Sequence, residues 1–421
     1  MIPQLGMGTA PIGNLYRVVG DEEAQATLNA AWDAGIRYYD SAPHYGFGLA
    51  ERRLGAMLAA RDMAGEAVIS TKVGRLLVPT QAQGERHGFV DADPYDPVFD
   101  YGHDAVLRSF DGSRARLRRE RIDLLLAHDL GRMTHGDAHE DHLRAFLSGG
   151  YRAMRDLRDA GAVGAIGIGV NEVAICNALL DHVELDMILL AGRYTLLDRS
   201  AEPLLERCAT LGVQVIVGGP YNSGILARDL TGPLHFDYRT PSADIIDRAK
   251  RLAQTCADTG VFLPAAALQF PLRHAAVAAV IPGLVGVDQV TDTMVRMAAD
   301  LPDTLWPMLD DVQAKAEPAM LQGDARLILL HPDDNVLICV RPIEAGDMLA
   351  LSHGTITAGQ AIPIGHKVAR KPIAPGEKII KYGAPIGSMT AAAMAGEWVH
   401  MHNMKSDYIS SHTRTALEKQ P

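Results

Sequence analysis

A (β/α)8 TIM barrel followed by a small β-rich domain is the fold the sequence predicts. Three observations predict it. Short apolar runs alternate with amphipathic stretches from residue 1 to about residue 320. Eight such runs occur, the number a closed parallel barrel requires. Beyond about residue 326 the helical texture stops and glycine-rich turns take over.

The runs are, in order, "GMGTA" (6–10), "IRYYDSA" (36–42), "AVISTKV" (67–73), "IDLLLAHD" (122–129), "AIGIGV" (165–170), "MILLAG" (187–192), "VQVIVGG" (213–219) and "VAAVIPG" (277–283). Near-continuous apolar strands separated by helices mean a parallel sheet covered by helices. "DEEAQATLNAAWDAG" (21–35) shows the helical pattern, with apolar residues at 24, 28, 31 and 32 on one face. The segment 79–102, "PTQAQGERHGFVDADPYDPVFDYG", has no clear periodicity and leaves the C-terminal end of the third strand. A connection of that length reads as a lid or binding loop. The segment 130–142, "LGRMTHGDAHEDH", leaves the same face; its His135, His139 and His142 lie in an acidic, solvated stretch, and no metal site is expected. The expected division is 1–322 for the barrel, 326–409 for the β-rich domain and 410–421 for a frayed tail.

Charge and cysteines narrow the class. The chain has 421 residues and a formal net charge of −11, which disfavours a nucleic-acid partner because polyanions repel. Of its 40 Lys and Arg and 51 Asp and Glu, 10 and 8 lie from Ala325 onward, so the front is strongly acidic and the end slightly basic. Two domains of different character follow. Cys176, Cys208, Cys256 and Cys339 are far apart with no CxxC spacing, which fits a reduced, cytoplasmic protein. "MIPQLGMGTA" lacks the features of a signal peptide, and no apolar run reaches the roughly 18–20 residues of a membrane span. No membrane partner is expected; homo-oligomerisation is left open.

Chemistry in a barrel collects at the C-terminal ends of the strands. There the second run supplies Asp40, His44 and Tyr45, the third Lys72, and the fourth His128 and Asp129. A phenol with a pKa of about 10 is a poor acid–base catalyst near neutrality. A nearby ammonium favours the phenolate, a carboxylate keeps that ammonium charged, and a histidine can orient a carbonyl or hydroxyl oxygen. The set suits proton transfer coupled to hydride transfer at a carbonyl carbon. Taken singly, Asp40 could cap the next element, Lys72 could snorkel and His128 could be a satisfied core histidine. Their joint occurrence at strand ends is much harder to explain structurally.

On those same residues, "YYDSAPHYGFGLAERRLG", "STKVGR", "RIDLLLAHD" and "AIGIGVN" resemble the aldo-keto reductases over about residues 5–300. Asp40, Tyr45, Lys72 and His128 fall on the four positions of that family's catalytic tetrad. "AGRYTLLDRS" (191–200) and "GGPYNSGIL" (218–226) resemble its D-threo-aldose 1-dehydrogenase branch, which acts on L-fucose, D-arabinose and L-galactose. The resemblance implies oxidation of the C1 hydroxyl of a cyclic aldose to a lactone, with His44, Tyr45 and His128 meeting the sugar. It implies a nicotinamide cofactor across the strand ends. Thr9 and Asp40 would contact the cofactor, and Asn171 matches the residue that holds its carboxamide. The segment Gly218, Gly219, Pro220, Tyr221, Asn222, Ser223, Gly224 and Leu226 would wrap the pyrophosphate. Ile281, Gly283 and Gln289 would enclose the adenosine. Three positions depart from the family: Ala191 replaces a glutamine, Gly218 replaces a stacking aromatic (a part Tyr221 can take), and Val285 replaces the arginine that holds a 2′-phosphate. Loss of that charge-assisted contact favours NAD over NADP. A different class is a nicotinamide-binding regulatory subunit, against which the complete tetrad argues.

"LHPDDNVLICVRPIEAGD", "IPIGHKVARKPIAPGEKIIKYGAPIG" and "HMHNMKS" resemble the small SAF (β-clip) domain of altronate and galactarate dehydratases. That resemblance implies docking of residues 326–409 on a separate sugar-acid dehydratase large subunit, or an oligomerisation or substrate-handling module. In "HMHNMKS" (400–406), His400 and His402 alternate and are expected on one face of a closing strand.

Overall fold

The computed structural model describes residues 2–237, 239–316, 324, 326–331, 333–351 and 354–407. The chain divides into two compact units, residues 1–313 and 314–421.

The first unit is built on eight parallel strands: β1 (Gly6–Gly8), β2 (Tyr38–Asp40), β3 (Val68–Val73), β6 (Ile122–His128), β7 (Val163–Val170), β8 (Met187–Ala191), β9 (Gln214–Gly218) and β10 (Val277–Ile281). They pair in that order, and parallel bridges Leu5–Val280 and Gly8–Gly283 join the last to the first. The predicted (β/α)8 barrel is therefore the fold found. Its strands are mostly apolar because helices cover their outer faces. Inside, Tyr38, Leu124, Leu126, Met187, Leu189, Ile216, Ala279 and Ile281 form a buried plug. Each of its Leu, Ile and Met side chains contributes about 1.5–3 kcal/mol by leaving water.

The first helix, Asp21–Asp33, shows why the connections are helical. Asp21, Glu22 and Glu23 sit in its first turn, where the helix dipole favours negative charge. Ala24, Thr27, Leu28, Ala31 and Trp32 line its buried face at helical spacing.

The segment after β3 differs from its reading as an aperiodic loop. β4 (Arg75–Pro79) and β5 (Tyr95–Phe99) pair antiparallel, with Arg75 opposite Phe99 and Pro79 opposite Tyr95. Prolines in both strands masked the pattern, since proline demotes a run in any sequence reading. Residues 80–94 form the hairpin's tip, fixed at Asp93, whose N–H donates to the Gly46 carbonyl (3.1 Å).

The second unit repeats one motif. β12 (Val336–Cys339), β15 (Lys367–Ala369) and β18 (Trp398–Val399), with β11 (Leu327–Ile328), make a small antiparallel sheet. Two long excursions leave it. The first contains β13 (Met348–Leu351) and β14 (Gly354–Thr357), the second β16 (Lys378–Lys381) and β17 (Ala384–Met389). The excursions match bond for bond. The N–H groups of Gly346 and Gly376 donate to the carbonyls of Ala358 and Met389, each at 2.8 Å. The N–H groups of Glu344 and Ala374 donate to the carboxylates of Asp347 and Glu377, each at 3.0 Å. Bridges Ile343–Ile362 and Ile373–Ala393 close them, and each half has its own apolar cluster.

"HMHNMKS" is not one strand. The short strand β19 (Met404–Lys405) follows a turn over 401–403. The Asn403 side chain accepts from the His400 N–H (2.9 Å), and the N–H groups of Asn403 and Met404 both donate to the His400 carbonyl (2.9 Å each). The expected one-face alternation of His400 and His402 is therefore lost. Trp398 instead stacks on His400 at 5.2 Å and donates its ring N–H to His366 Nδ1 at 3.2 Å.

Candidate active site

Side chains from the ends of β2, β3 and β6 converge. Asp40 ends β2, Lys72 lies near the end of β3, and His128 ends β6. Tyr45 follows β2 on a turn in which Gly46, Phe47 and Gly48 all take positive φ (63°, 57° and 105°). At Gly46 a Cβ would lie 2.4 Å from the Gly13 carbonyl oxygen, so only glycine fits that turn.

Lys72 Nζ donates to Asp40 Oδ2 (2.8 Å), to the Ser41 carbonyl (2.9 Å) and to Tyr45 Oη (3.0 Å). The other Asp40 oxygen accepts from Ser70 Oγ at 2.6 Å. Thr9 Oγ1 lies 2.9 Å from both the Asp40 carbonyl and Ser41 Oγ, and so supports the turn. Lys72 and Asp40 are only 2% exposed. An ion pair this deep persists because every polar atom has a partner.

The electrostatics correct one expectation. Burial pushes the Tyr45 phenol up to about 12, and Lys72 opposes that rise without reversing it. For Lys72, burial works against the charge, but Asp40 and Tyr45 outweigh it and hold its pKa above the ordinary value. Burial pulls His44 down to about 2, aided by Arg75, His87 and Lys72. Burial, then Arg75, Lys72 and His44, likewise holds His128 well below its ordinary value. Both imidazoles are neutral.

Around Tyr45 lies an aromatic wall that the sequence did not reveal. Phe89, from the hairpin tip, is 5.3 Å from the His44 ring, 6.4 Å from Tyr45 and 5.8 Å from Phe47. His128 faces both His44 (5.9 Å) and Tyr45 (6.0 Å). The Nδ1 atoms of His44 and His128 are buried with no hydrogen-bond partner.

Also within the first unit is a cleft of about 800 Å³. Gly219, Pro220, Tyr221, Ser223, Gly224, Gly283 and Gln289, which the resemblance assigns to the cofactor, line it. Arg228, His235 and Arg296 add basic groups that the sequence reading missed, and no Asp or Glu lines it among the described residues. Buried Thr293 Oγ1 lacks a partner there, and Gly219 leaves open space around its backbone. This donor-rich, carboxylate-free lining fits a dinucleotide's phosphates. Gln289 steadies its edge by accepting from the Val285 N–H at 3.2 Å.

Other expected side chains lie elsewhere. Thr9, Asn222, Leu226 and Ile281 are buried. Asn222 bonds Thr195 and the Gly192 carbonyl instead of facing the cleft. Gly218 ends β9, and the Asn171 carbonyl accepts from Arg193 Nε (2.7 Å). His135 and His142 pack ring to ring at 4.1 Å, while His139 lies 3.0 Å from Glu140. Among the described residues no group of three or more His, Cys, Asp or Glu is placed to hold a metal ion. The four cysteines are buried and unpaired. No described helix is long and apolar enough to cross a membrane.

A barrel with a buried Tyr–Lys–Asp chain and, in the same unit, a dinucleotide-sized cleft points to a class, the nicotinamide-dependent oxidoreductases of carbonyl and hydroxyl groups. The particular family follows from comparison. The aldo/keto reductase family model matches residues 4–314. The chain is 44% identical over 320 residues to pyridoxal 4-dehydrogenase from Microbacterium luteolum, covering 73% of this chain and 93% of that protein. It is 38% identical over 324 residues to D-threo-aldose 1-dehydrogenase from a Pseudomonas species, covering 75% and 96%. Glycerol dehydrogenase from Gluconobacter oxydans shares the fold, with a TM-score of 0.60 at 22% identity over 75% of this chain and 93% of that one. The protein belongs to the aldo/keto reductase family and is an NAD(P)-dependent oxidoreductase. Residues 325–407 match the altronate/galactarate dehydratase SAF domain. Over 80 residues, 19% of this chain and 16% of that protein, the identity to altronate dehydratase from Bacillus subtilis is 38%.

Proposed function

We propose that the protein oxidises the hemiacetal hydroxyl of a cyclic substrate to a lactone, the substrate being an aldose of the L-fucose, D-arabinose or L-galactose type. The observation that carries this is the buried chain Tyr45–Lys72–Asp40, with 3.0 and 2.8 Å contacts, opening beside neutral His128. Relatives named D-threo-aldose 1-dehydrogenase and L-galactose dehydrogenase support the aldose. The 44% identity to pyridoxal 4-dehydrogenase supports a second reading. Pyridoxal carries a hydroxymethyl group beside its aldehyde and closes to a ring hemiacetal. Both readings therefore share one reacting group, and the wall of Phe89, Phe47 and His44 suits a flat ring face.

A nicotinamide held in the cleft would supply the hydride acceptor for the hemiacetal carbon. Tyr45 Oη takes the hydroxyl proton, Lys72 favours the phenolate that does so, and Asp40 with Ser70 fixes Lys72. Neutral His128 holds the reacting oxygen by a hydrogen bond. Gly219, Pro220, Tyr221, Ser223, Gly224 and Gln289 would hold the cofactor, with Asn171 at the nicotinamide end. We favour NAD over NADP on the strength of Val285.

The second unit we assign to sugar-acid handling, docked on a dehydratase large subunit. The chemistry connects: a lactone opens to an aldonic acid, which a dehydratase consumes. Co-purification without any such subunit, and unchanged sugar-acid dehydration after deletion of residues 326–409, would refute this.

The deciding assay offers L-fucose, D-arabinose, L-galactose, L-glucose and pyridoxal with NAD and with NADP. Lactone formation that disappears in Tyr45→Phe, with cofactor binding retained, is expected. Near-normal turnover in that variant would refute the assignment.

A further inference from the structure

Beside the four residues already assigned sits an ion pair that the mechanism does not use. Arg75, the first residue of β4, is 8% exposed and pairs with Asp129 through its Nη2. Asp129 Oδ2 lies 3.4 Å from His128 Nε2, while His128 Nδ1 is buried with no partner.

Asp129 is held in place at a cost. Its φ is +50°, the left-handed region that residues with a Cβ seldom adopt. Three bonds pin the turn. The Asp129 N–H donates to the Gly169 carbonyl (2.9 Å), and Tyr101 Oη donates to the carbonyls of His128 (2.6 Å) and Asp129 (3.3 Å). Tyr101 in turn contacts His135 Nε2 at 2.9 Å. Strained backbone kept by this many contacts points to use.

We propose that Arg75 and Asp129 are positioning residues for His128: the Asp129 carboxylate keeps the single imidazole proton on Nε2, and Arg75 keeps that carboxylate ionised and aimed. The proposal rests on the oxidoreductase reading above and deepens it. A neutral imidazole has one N–H. At 3.4 Å the Asp129 carboxylate forms no hydrogen bond to Nε2, so its charge favours the tautomer protonated there while leaving that single N–H to donate to the reacting oxygen. An amide in place of the carboxylate can present its own N–H to Nε2. That would favour the opposite tautomer and remove the donor.

The groups facing Asp129 are Arg75, Lys72, His128, Tyr45 and, through Tyr101, His135. Burial raises the Asp129 carboxyl, and Arg75 and then Lys72 oppose that rise. Without Arg75 the carboxyl takes up a proton at higher pH. Activity that needs the carboxylate then falls as pH drops through a window where the wild type holds steady.

The test uses the full chain. In Asp129→Asn, kcat is expected to fall about 10–100-fold with the KM for cofactor unchanged. In Arg75→Met, kcat/KM gains a new acid-side ionisation, and Arg75→Lys recovers most of the activity. Long-range 15N spectra of histidine-labelled protein, with His128 assigned through His128→Gln, should show Nε2 protonation in the wild type and its loss in Asp129→Asn. This readout needs no substrate, so it stands even if the lactol reading fails. An Nδ1-protonated His128 in the wild type, or an Arg75→Met variant with the wild-type pH profile, would overturn the proposal.

Discussion

Lys72→Met removes the charge on which Tyr45 depends. At the 3.0 Å separation of Nζ and Oη, and an effective dielectric of about 20, the ammonium favours the phenolate by about 5–6 kcal/mol. That corresponds to about 4 pKa units at about 1.4 kcal/mol each. Tyr45 keeps partial exposure, and solvent screening reduces the effect to about 2–4 units. The phenol starts at about 12, so the variant has almost no base near neutrality. Its kcat for oxidation at pH 8 should fall about 10²–10⁴-fold and keep rising with pH to the alkaline limit of stability. Stability must be measured in parallel. Removing one partner of a buried pair leaves Asp40 uncompensated at a cost of about 3–5 kcal/mol. The double variant Lys72→Met, Asp40→Asn separates the two effects, because it restores stability without restoring turnover. The assay is steady-state kcat against pH, with urea unfolding and cofactor fluorescence as controls. A folded Lys72→Met variant within tenfold of wild type, with an unchanged pH profile, would refute the reasoning.

Three further outcomes are expected. In the wild type, oxidation should accelerate with rising pH while reduction slows, because the base is the deprotonated form of a phenol whose pKa stands near 12; a rate that declines from pH 7 to 9 would contradict this. Phe89→Ala opens the aromatic wall and should raise the KM for a lactol about tenfold with the KM for cofactor unchanged, as steady-state kinetics will show. Arg53→Met should lower stability by about 3–5 kcal/mol in urea unfolding, because it strips partners from the buried carbonyls of Ile12 and Val19 (2.6 and 2.8 Å) and from Asn14 and Asp21.

The barrel was legible because a strand buried on both faces must be largely apolar, as β8 is throughout and β6 and β9 are over their central residues. Asp40, Lys72 and His128 were legible for a related reason: a charged or polar side chain at the end of such a run has few structural uses. The β4–β5 hairpin was not, since Pro79 and Pro97 sit inside its strands and its pairing spans the whole excursion. Phe89 was hidden with it. "HMHNMKS" misled because alternation is a valid strand signal only where no side chain caps the backbone. Asn403 supplies that cap locally, and a turn wins.

Asp129 marks the deeper limit. As the residue after His128 it reads as the end of an apolar strand, and nothing nearby in sequence announces a left-handed backbone. Its conformation is imposed from afar, by Tyr101 just before the helix His103–Leu117, Gly169 from β7 and Arg75 from the start of the hairpin. Local sequence fixes which groups the site contains. The direction each one faces is decided by contacts tens of residues away, which is why Asp129 could be named from the sequence as a group at the strand end, while Arg75 and Tyr101, which hold it in place, could not.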